Sequence, residues 1–398
     1  MQNKSIVHMD LDAFFVSVER LENSALNGKP ILVGGSSSRG VVAACSYEAR
    51  AFGIHSAMPM KMARRLCPEA ILVKGDPERY SYYSHMVTDV ISESVPLYEK
   101  ASIDEFYIDL SGMDRFFSSY QLATEIRERI IKETGLPISM GYSINKTVSK
   151  VATGEAKPCN QRKVDLGTEK PFLAPLSVKK IPMVGPKTYQ TLRNLGVQYI
   201  KTIQEMPIEL MEKVFNKQGI IIWKKANGID NSPVVTSHDR KSLSSERTFD
   251  KDTIDVNYLR DLITSMTERL AFKLRTEEKV AACVTVKIRY SNFETHTKQI
   301  RIAYTSADHI LIPKVRELFE KLYDRRMLIR LVGVRFSNLV HGAYQINLFD
   351  DSSEMIKLYQ ALDRMNKRYG SRTVRRAIGL GIKYRDYISF NGETEMAG

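Results

Sequence analysis

The sequence predicts an α+β protein of more than one domain, and three observations carry that reading. Short apolar, strand-like runs alternate with helical periodicity over residues 1–165. A second series, in the order strand, helix, strand, strand, helix, strand, fills residues 242–340. The chain has 398 residues, far more than one core needs, so two to four domains are expected.

The elements follow in order. Ser5–Met9 is an apolar run stopping at Asp10, and Asp12 is placed to cap a helix whose apolar side includes Phe15, Val18 and Leu21. Residues 30–34 and 40–44 read as short strands, and 46–52 and 59–67 as short helices. An amphipathic helix is expected over 80–95, then a strand over 99–110 interrupted by polar residues at 102–105. A helix (121–134), a strand (138–143) and a helix (146–156) ended by Lys157-Pro158 complete an α/β or α+β unit. Residues 171–228 read as short helices with Gly and Pro between them, and 231–241 as a polar, aperiodic linker. The second series then places strands at 242–249, 281–290, 295–304 and 329–339, with helices at 256–274 and 308–323. A tail, 341–398, holds one helix at 353–369.

Composition narrows the function. The 43% hydrophobic and 26% charged content is ordinary for a globular protein and argues against disordered or fibrous chains. The net charge of +13 is unevenly placed: residues 1–165 hold 20 basic and 20 acidic side chains, whereas 166–230 carry +5, 231–340 carry +6 and 341–398 carry +2. A neutral front with basic modules behind suggests chemistry first and a polyanion-gripping surface second. No apolar signal region opens the chain and no run of 18 apolar residues occurs, so a cytoplasmic protein without a membrane span is expected. Four scattered cysteines without a C-x-x-C pair argue against a zinc site or disulfide framework.

The acids of the first part suggest a reaction. Asp10 and Asp12 follow one strand, and Asp104 and Glu105 interrupt another. Carboxylates at the ends of neighbouring strands can hold two Mg²⁺ ions for phosphoryl transfer. Adjacent strand residues face opposite ways, so Asp104 and Glu105 share a site only if the backbone bends at 102–105. By spacing alone, a helix cap and an exposed turn explain the same residues equally well.

The wider pattern is more specific. Residues 8–19 (HMDLDAFFVSVE) resemble the first motif of Y-family DNA polymerases, and 101–110 (ASIDEFYIDL) their catalytic palm motif. Residues 40–50 (GVVAACSYEAR) resemble the fingers motif of the polymerase IV branch, and 141–146 (GYSINK) through Ala156-Lys157-Pro158 the end of the palm. The resemblance implies a right-hand polymerase: palm and fingers in 1–165 (fingers about 20–75), a thumb in 166–230, a β-α-β-β-α-β little finger in 242–340. It also assigns roles. Asp10, the Leu11 carbonyl and Asp104 would hold two Mg²⁺ ions, with Glu105 completing the primer-side one; Asp12 would cap its helix or stand behind the ligands. Phe15 would be the steric gate against a ribose 2′-hydroxyl and Phe14 would pack beside the nucleotide. Tyr47, Arg50 and Lys157 would contact the triphosphate. Ala44 departs from the Ser or Thr of many relatives, which removes one hydroxyl contact.

Residues 181–188 (IPMVGPKT) resemble a helix-hairpin-helix, which would offer Val184, Gly185 and Lys187 to a DNA phosphate. Met183 stands where the first hairpin glycine is usual, which would weaken that nest. In the second series Lys287, Arg289, Lys298, Arg301, Arg330 and Arg335 would form a basic sheet face for duplex. Residues 345–349 (QINLF) resemble the bacterial sliding-clamp-binding peptide, with Gln345, Leu348 and Phe349 as anchors. Residues 361–377 resemble the tail of polymerase V catalytic subunits, with DNA, a recombinase filament or the protein's own body as its contact.

The expectation is therefore a monomeric, low-fidelity, template-directed DNA polymerase for translesion synthesis. It would use primer-template DNA, deoxynucleoside triphosphates and a sliding clamp, and would lack a proofreading exonuclease. A palm-fold nucleotide cyclase explains the acids but not the hairpin or the clamp peptide. A non-catalytic DNA-binding or clamp-binding accessory protein explains the charge but not the acids.

Overall fold

The computed structural model describes residues 4–37, 39–113, 118–237, 239–323, 327–342, 353–370, 373–374 and 376–379. The chain divides between residues 238 and 239 into two compact units.

In the first unit β1 (Ile6–Leu11) leads into α1 (Phe14–Glu22), then β2 (Ile31–Gly34), β3 (Val42–Cys45), α2 (Tyr47–Arg50), α3 (Met60–Leu66), β4 (Ile71–Val73) and α4 (Pro77–Ser94). β5 (Tyr98–Lys100), β6 (Glu105–Asp109), α5 (Ser119–Thr134), β7 (Ile138–Ser143), α6 (Lys146–Ala156) and β8 (Gln161–Lys163) follow. Five strands form one sheet in the order β5-β6-β1-β7-β8, with β1 antiparallel to both neighbours; β3-β2-β4 form a second, small sheet. Odd-numbered residues of β1 (Val7, Met9, Leu11) enter the main core with Phe106, Ile108, Ile138 and residues of α4 and α5. Even-numbered His8 and Asp10 therefore face the other side, where α6 lies. That helix sits directly on the sheet because β7 carries Gly141: a Cβ there would meet the Ser149 carbonyl oxygen at 2.1 Å.

Helix capping explains one of the boundary differences. α4 begins at Pro77, three residues before its apolar periodicity, because Asp76 accepts hydrogen bonds from the amides of Glu78 and Arg79. β4 and β8 are three-residue strands, too short to show a period. Asp12 does not cap α1, contrary to expectation: the cap position is Ala13, in the left-handed region at φ 45°, with no side-chain cap. Leu21, expected on the apolar side of that helix, is exposed, and Phe14 takes the core position instead.

α7 (Glu169–Leu173), α8 (Pro186–Asn194), α9 (Ile200–Glu205), α10 (Ile208–Phe215) and α11 (Lys217–Ala226) then pack on α6 through a separate core. The polar stretch after them is fastened to the first unit as far as Val235. Asp230 accepts from Thr147 Oγ1 at 2.6 Å, the Val235 amide donates to Glu99 at 2.9 Å, and Val234 is buried with Ile6 and Tyr107.

The second unit contains β9 (Ser242–Thr253), α12 (Val256–Thr276), β10 (Lys279–Tyr290), β11 (Thr295–Thr305), α13 (Asp308–Leu322), β12 (Ile329–His341) and α14 (Ser353–Tyr369). Its sheet runs β11-β10-β12-β9, all antiparallel, and packs one face on α12 and α13. The tail helix α14 docks on the protein's own body. Arg275 of α12 bonds Asp363 of α14 at 2.7 and 2.9 Å and Asp308 of α13 at 2.8 Å, and buried Tyr359 bonds His309.

Candidate active site

The register of the five-stranded sheet brings the acids together. Asp10 lies opposite Glu105 on β6 and Ser139 on β7, and the Leu11 amide donates to the Asp104 carbonyl at 3.0 Å. The expected bend between β5 and β6 is present. The Ala101 amide bonds the Glu105 carbonyl at 3.0 Å, and Ser102 Oγ accepts from the Glu105 amide at 3.0 Å and donates to the Asp104 carboxylate at 2.5 Å. Asp104 sits in the turn and Glu105 opens the strand, so the two neighbours need not face opposite ways.

The acids differ in their electrostatics. Burial raises Asp10 to about 7, against the counteracting Lys157 ammonium bonded to its carboxylate. Burial also raises Asp104, with the Glu105 charge adding to the shift. Burial would raise Glu105 as well, but His8, with Nε2 4.0 Å away, and Lys150, bonded at 2.6 Å, hold it far below the usual carboxylate range. His8 is wholly buried, which lowers it to about 4 and leaves the ring neutral; its Nδ1 pairs with Thr153 Oγ1 at 2.9 Å.

Around the acids stand the other expected residues. Ser46 caps α2, which presents Tyr47 and Arg50, the guanidinium lying 4.6 Å over the Tyr47 ring. Phe15 is half-buried and stacks on Tyr80 at 4.3 Å with an interplanar angle of 12°. Tyr80 is fixed in turn by Glu19 at 2.5 Å. Phe14 is 3% exposed and belongs to the core, whereas Phe15 keeps part of its ring surface. Asp12 is 2% exposed and accepts three hydrogen bonds, from Tyr47, Ser139 and the Cys159 amide.

Sequence reasoning missed Lys150, His8, Tyr80 and Glu19. A signal existed for Lys150, which lies on α6 seven residues, about two helical turns, before Lys157, the residue that ends that helix. His8 likewise shares a strand face with Asp10.

The donor set suits hard divalent cations: carboxylate oxygens of Asp10, Asp104 and Glu105 beside the Leu11 carbonyl, two of the acids raised by burial and mutual repulsion. Among the described residues, no three acid, histidine or cysteine side chains are gathered tightly enough to hold an ion as they stand. Lys157 and Lys150 occupy oxygens of Asp10 and Glu105.

The expected DNA-contacting residues are placed less uniformly. Gly185 caps α8, with Pro186 first in the helix, and Met183 adopts φ 78° while 59% exposed. In the second unit, Lys287, Arg289, Arg301 and Arg335 share the sheet face away from the helices with Thr285, Thr295, Thr297 and Ser244. Lys298 does not: it is opposite buried Val286, and its ammonium reaches the Lys321 carbonyl at 3.4 Å. Arg330 stands at a register shift with its guanidinium 4.4 Å over Phe293. Gln345, Leu348 and Phe349 lie outside the described residues. All four cysteines are free, and no described helix is long and apolar enough to cross a membrane.

Comparison with known proteins fits this geometry. A Y-family polymerase chimera of Dbh and Dpo4 superposes with a TM-score of 0.75 at 25% identity, covering 84% of this chain and 99% of that one. DinB from Sulfolobus solfataricus gives 0.59 at 24% identity, over 85% and 100%. The fold is that of the Y-family DNA polymerases. Residues 9–154 match the impB/mucB/samB family and 240–348 its C-terminal domain. DNA polymerase IV of Dehalococcoides mccartyi (strain CBDB1) is 35% identical over 94% of this chain and 97% of the relative. That of Halorhodospira halophila is 36% identical over 87% and 98%. The chain belongs to the impB/mucB/samB family, on its DNA polymerase IV branch, and is a DNA-directed DNA polymerase. Since 94% of the chain is matched, α14 lies within the aligned span.

Proposed function

We propose that the protein performs template-directed translesion synthesis, extending a primer 3′-hydroxyl by nucleotidyl transfer from a deoxynucleoside triphosphate with two Mg²⁺ ions. The observation that carries this reading is the convergence of Asp10, Asp104 and Glu105 across β1 and the β5–β6 turn, beside Lys157. Asp10, Asp104 and the Leu11 carbonyl would hold the ions, Glu105 completing the primer-side one. Bound there, such ions would activate the attacking oxygen and neutralise the leaving pyrophosphate. Tyr47, Arg50 and Lys157 orient the triphosphate, and Phe15, braced by Tyr80, excludes a 2′-hydroxyl.

In this reading residues 1–165 are palm and fingers, 166–230 the thumb and 242–340 the little finger. The α8 N-terminus and the Lys287, Arg289, Arg301 and Arg335 face hold primer-template DNA through phosphates, independent of sequence. Residues 345–349 bind the sliding clamp, the protein acts as a monomer, and no proofreading exonuclease accompanies it. Primer extension across an abasic site and on undamaged template tests the proposal: wild type extends both, and Asp104→Asn extends neither. Templated extension surviving that substitution would overturn the metal assignment.

A further inference from the structure

Asp12 is not a ligand in this reading, yet it is buried and ties three segments together. Tyr47 Oη donates to its Oδ1 at 3.1 Å; Ser139 Oγ, at 2.7 Å, and the Cys159 amide, at 2.8 Å, donate to its Oδ2. Tyr47 belongs to α2 and Cys159 follows Lys157-Pro158, so both segments proposed to grip the triphosphate lean on one carboxylate.

The Tyr47 hydroxyl cannot serve both Asp12 and a phosphate. A tyrosine hydroxyl has one hydrogen to donate, and phosphate oxygens only accept. In the structure that hydrogen is directed to Asp12. Tyr47 can therefore bond a triphosphate only by withdrawing its hydrogen from Asp12. We propose that Asp12 is a positioning residue that sets nucleotide affinity by competing with the triphosphate for the Tyr47 hydroxyl hydrogen. The proposal rests on Tyr47 being a triphosphate contact.

Substitution then has a definite sign. In Asp12→Asn the carbonyl oxygen stays at the Oδ2 position, because the Cys159 amide can only donate. The new NH₂ group faces Tyr47, donates to its oxygen and frees its hydrogen for phosphate. Removing a negative charge also favours a triphosphate, so the effect must be separated from charge. In a Tyr47→Phe background the charge effect remains and the hydrogen effect vanishes.

The test is single-turnover insertion of dCTP opposite template dG, reading apparent Kd and maximal rate separately. Asp12→Asn is expected to lower Kd roughly threefold to tenfold beyond whatever it does in the Tyr47→Phe background, with the maximal rate little changed. Ser139→Ala, which removes one donor and leaves Asp12 a stronger acceptor for Tyr47, is expected to raise Kd; it keeps the test open should Asp12→Asn fold poorly. Equal Kd changes for Asp12→Asn with and without the Tyr47 hydroxyl would overturn the proposal, as would a lower Kd for Ser139→Ala. Arg50→Ala and Lys157→Ala check the underlying reading: if neither raises Kd, the triphosphate site itself is wrong, whatever Asp12 does.

Discussion

The molecule's two large sheets put polar residues to opposite uses. The five-stranded sheet buries its chemistry: His8 is 1% exposed, Asp12 2%, and Asp10 and Glu105 each have one lysine bonded to them. The four-stranded sheet spreads Lys287, Arg289, Arg301 and Arg335 over an open face among threonines and serines, with Glu246 bonded to Lys287 at 2.5 Å. Bond making needs a few atoms held at fixed distances in a low-dielectric setting, so the acids proposed to hold the ions should tolerate little change. Gripping a uniform phosphate backbone needs only charge on the right side, so in the proposed reading the basic residues of the second sheet act in small, additive steps.

The largest effects should thus arise in the first sheet. Glu105→Gln keeps the side-chain volume but removes the charge paired with Lys150, and should lower kcat for primer extension by about 10³-fold or more. A variant retaining a tenth of wild-type activity would place the reaction elsewhere. Next comes sugar choice. Phe15→Ala removes the ring stacked on Tyr80 and should reduce discrimination against ribonucleotides on the order of 10²-fold, read as the ratio of kcat/KM for dCTP and CTP. Unchanged discrimination would show that Phe15 is only packing for Tyr80.

The same contrast governs what the sequence disclosed. Asp10, Asp104 and Glu105 stand in long, ordered motifs, and the bend at 102–105 followed from two adjacent acids needing one side. The strands 138–143 and the helices 146–156 and 353–369 were legible to the residue, since each carries sustained periodicity and two have polar or proline punctuation. What stayed hidden depends on contacts between distant segments. Asp12 looked like a cap, a local role, and instead takes hydrogen bonds from residues 35, 127 and 147 positions away. Lys298 looked like its basic neighbours, but strand parity, which fixes its face, depends on a register with Val286 that the sequence does not print.

That parity yields a third, smaller prediction, in the second sheet. Arg301→Ala and Arg335→Ala should each weaken primer-template binding several-fold and reduce the slope of log Kd against log salt by about 1, with kcat nearly intact. Lys298→Ala should change the slope little. Anisotropy titrations across a salt series check this, and equal effects at all three positions would mean that face does not decide DNA contact.

The smallest effect belongs to a group that does neither job. Asp230 pins the stretch after α11 to α6. Burial works to raise its pKa, but hydrogen bonds from Ser232 and Thr147 and the Lys225 charge outweigh it and hold the group at about 2. An acid depressed on folding contributes stability above its unfolded value near 4, and that stability is lost as pH falls toward 2. Asp230→Asn should therefore cost about 1 kcal/mol at pH 7, discounted for solvent access, and progressively less as pH falls from 4 to 2. Urea midpoints at pH 7 and pH 3 measure it. A penalty that persists undiminished in acid would assign the pin to shape rather than charge. It would then resemble the packing of Gly141 under α6 more than the charge pairs of Asp10 and Glu105.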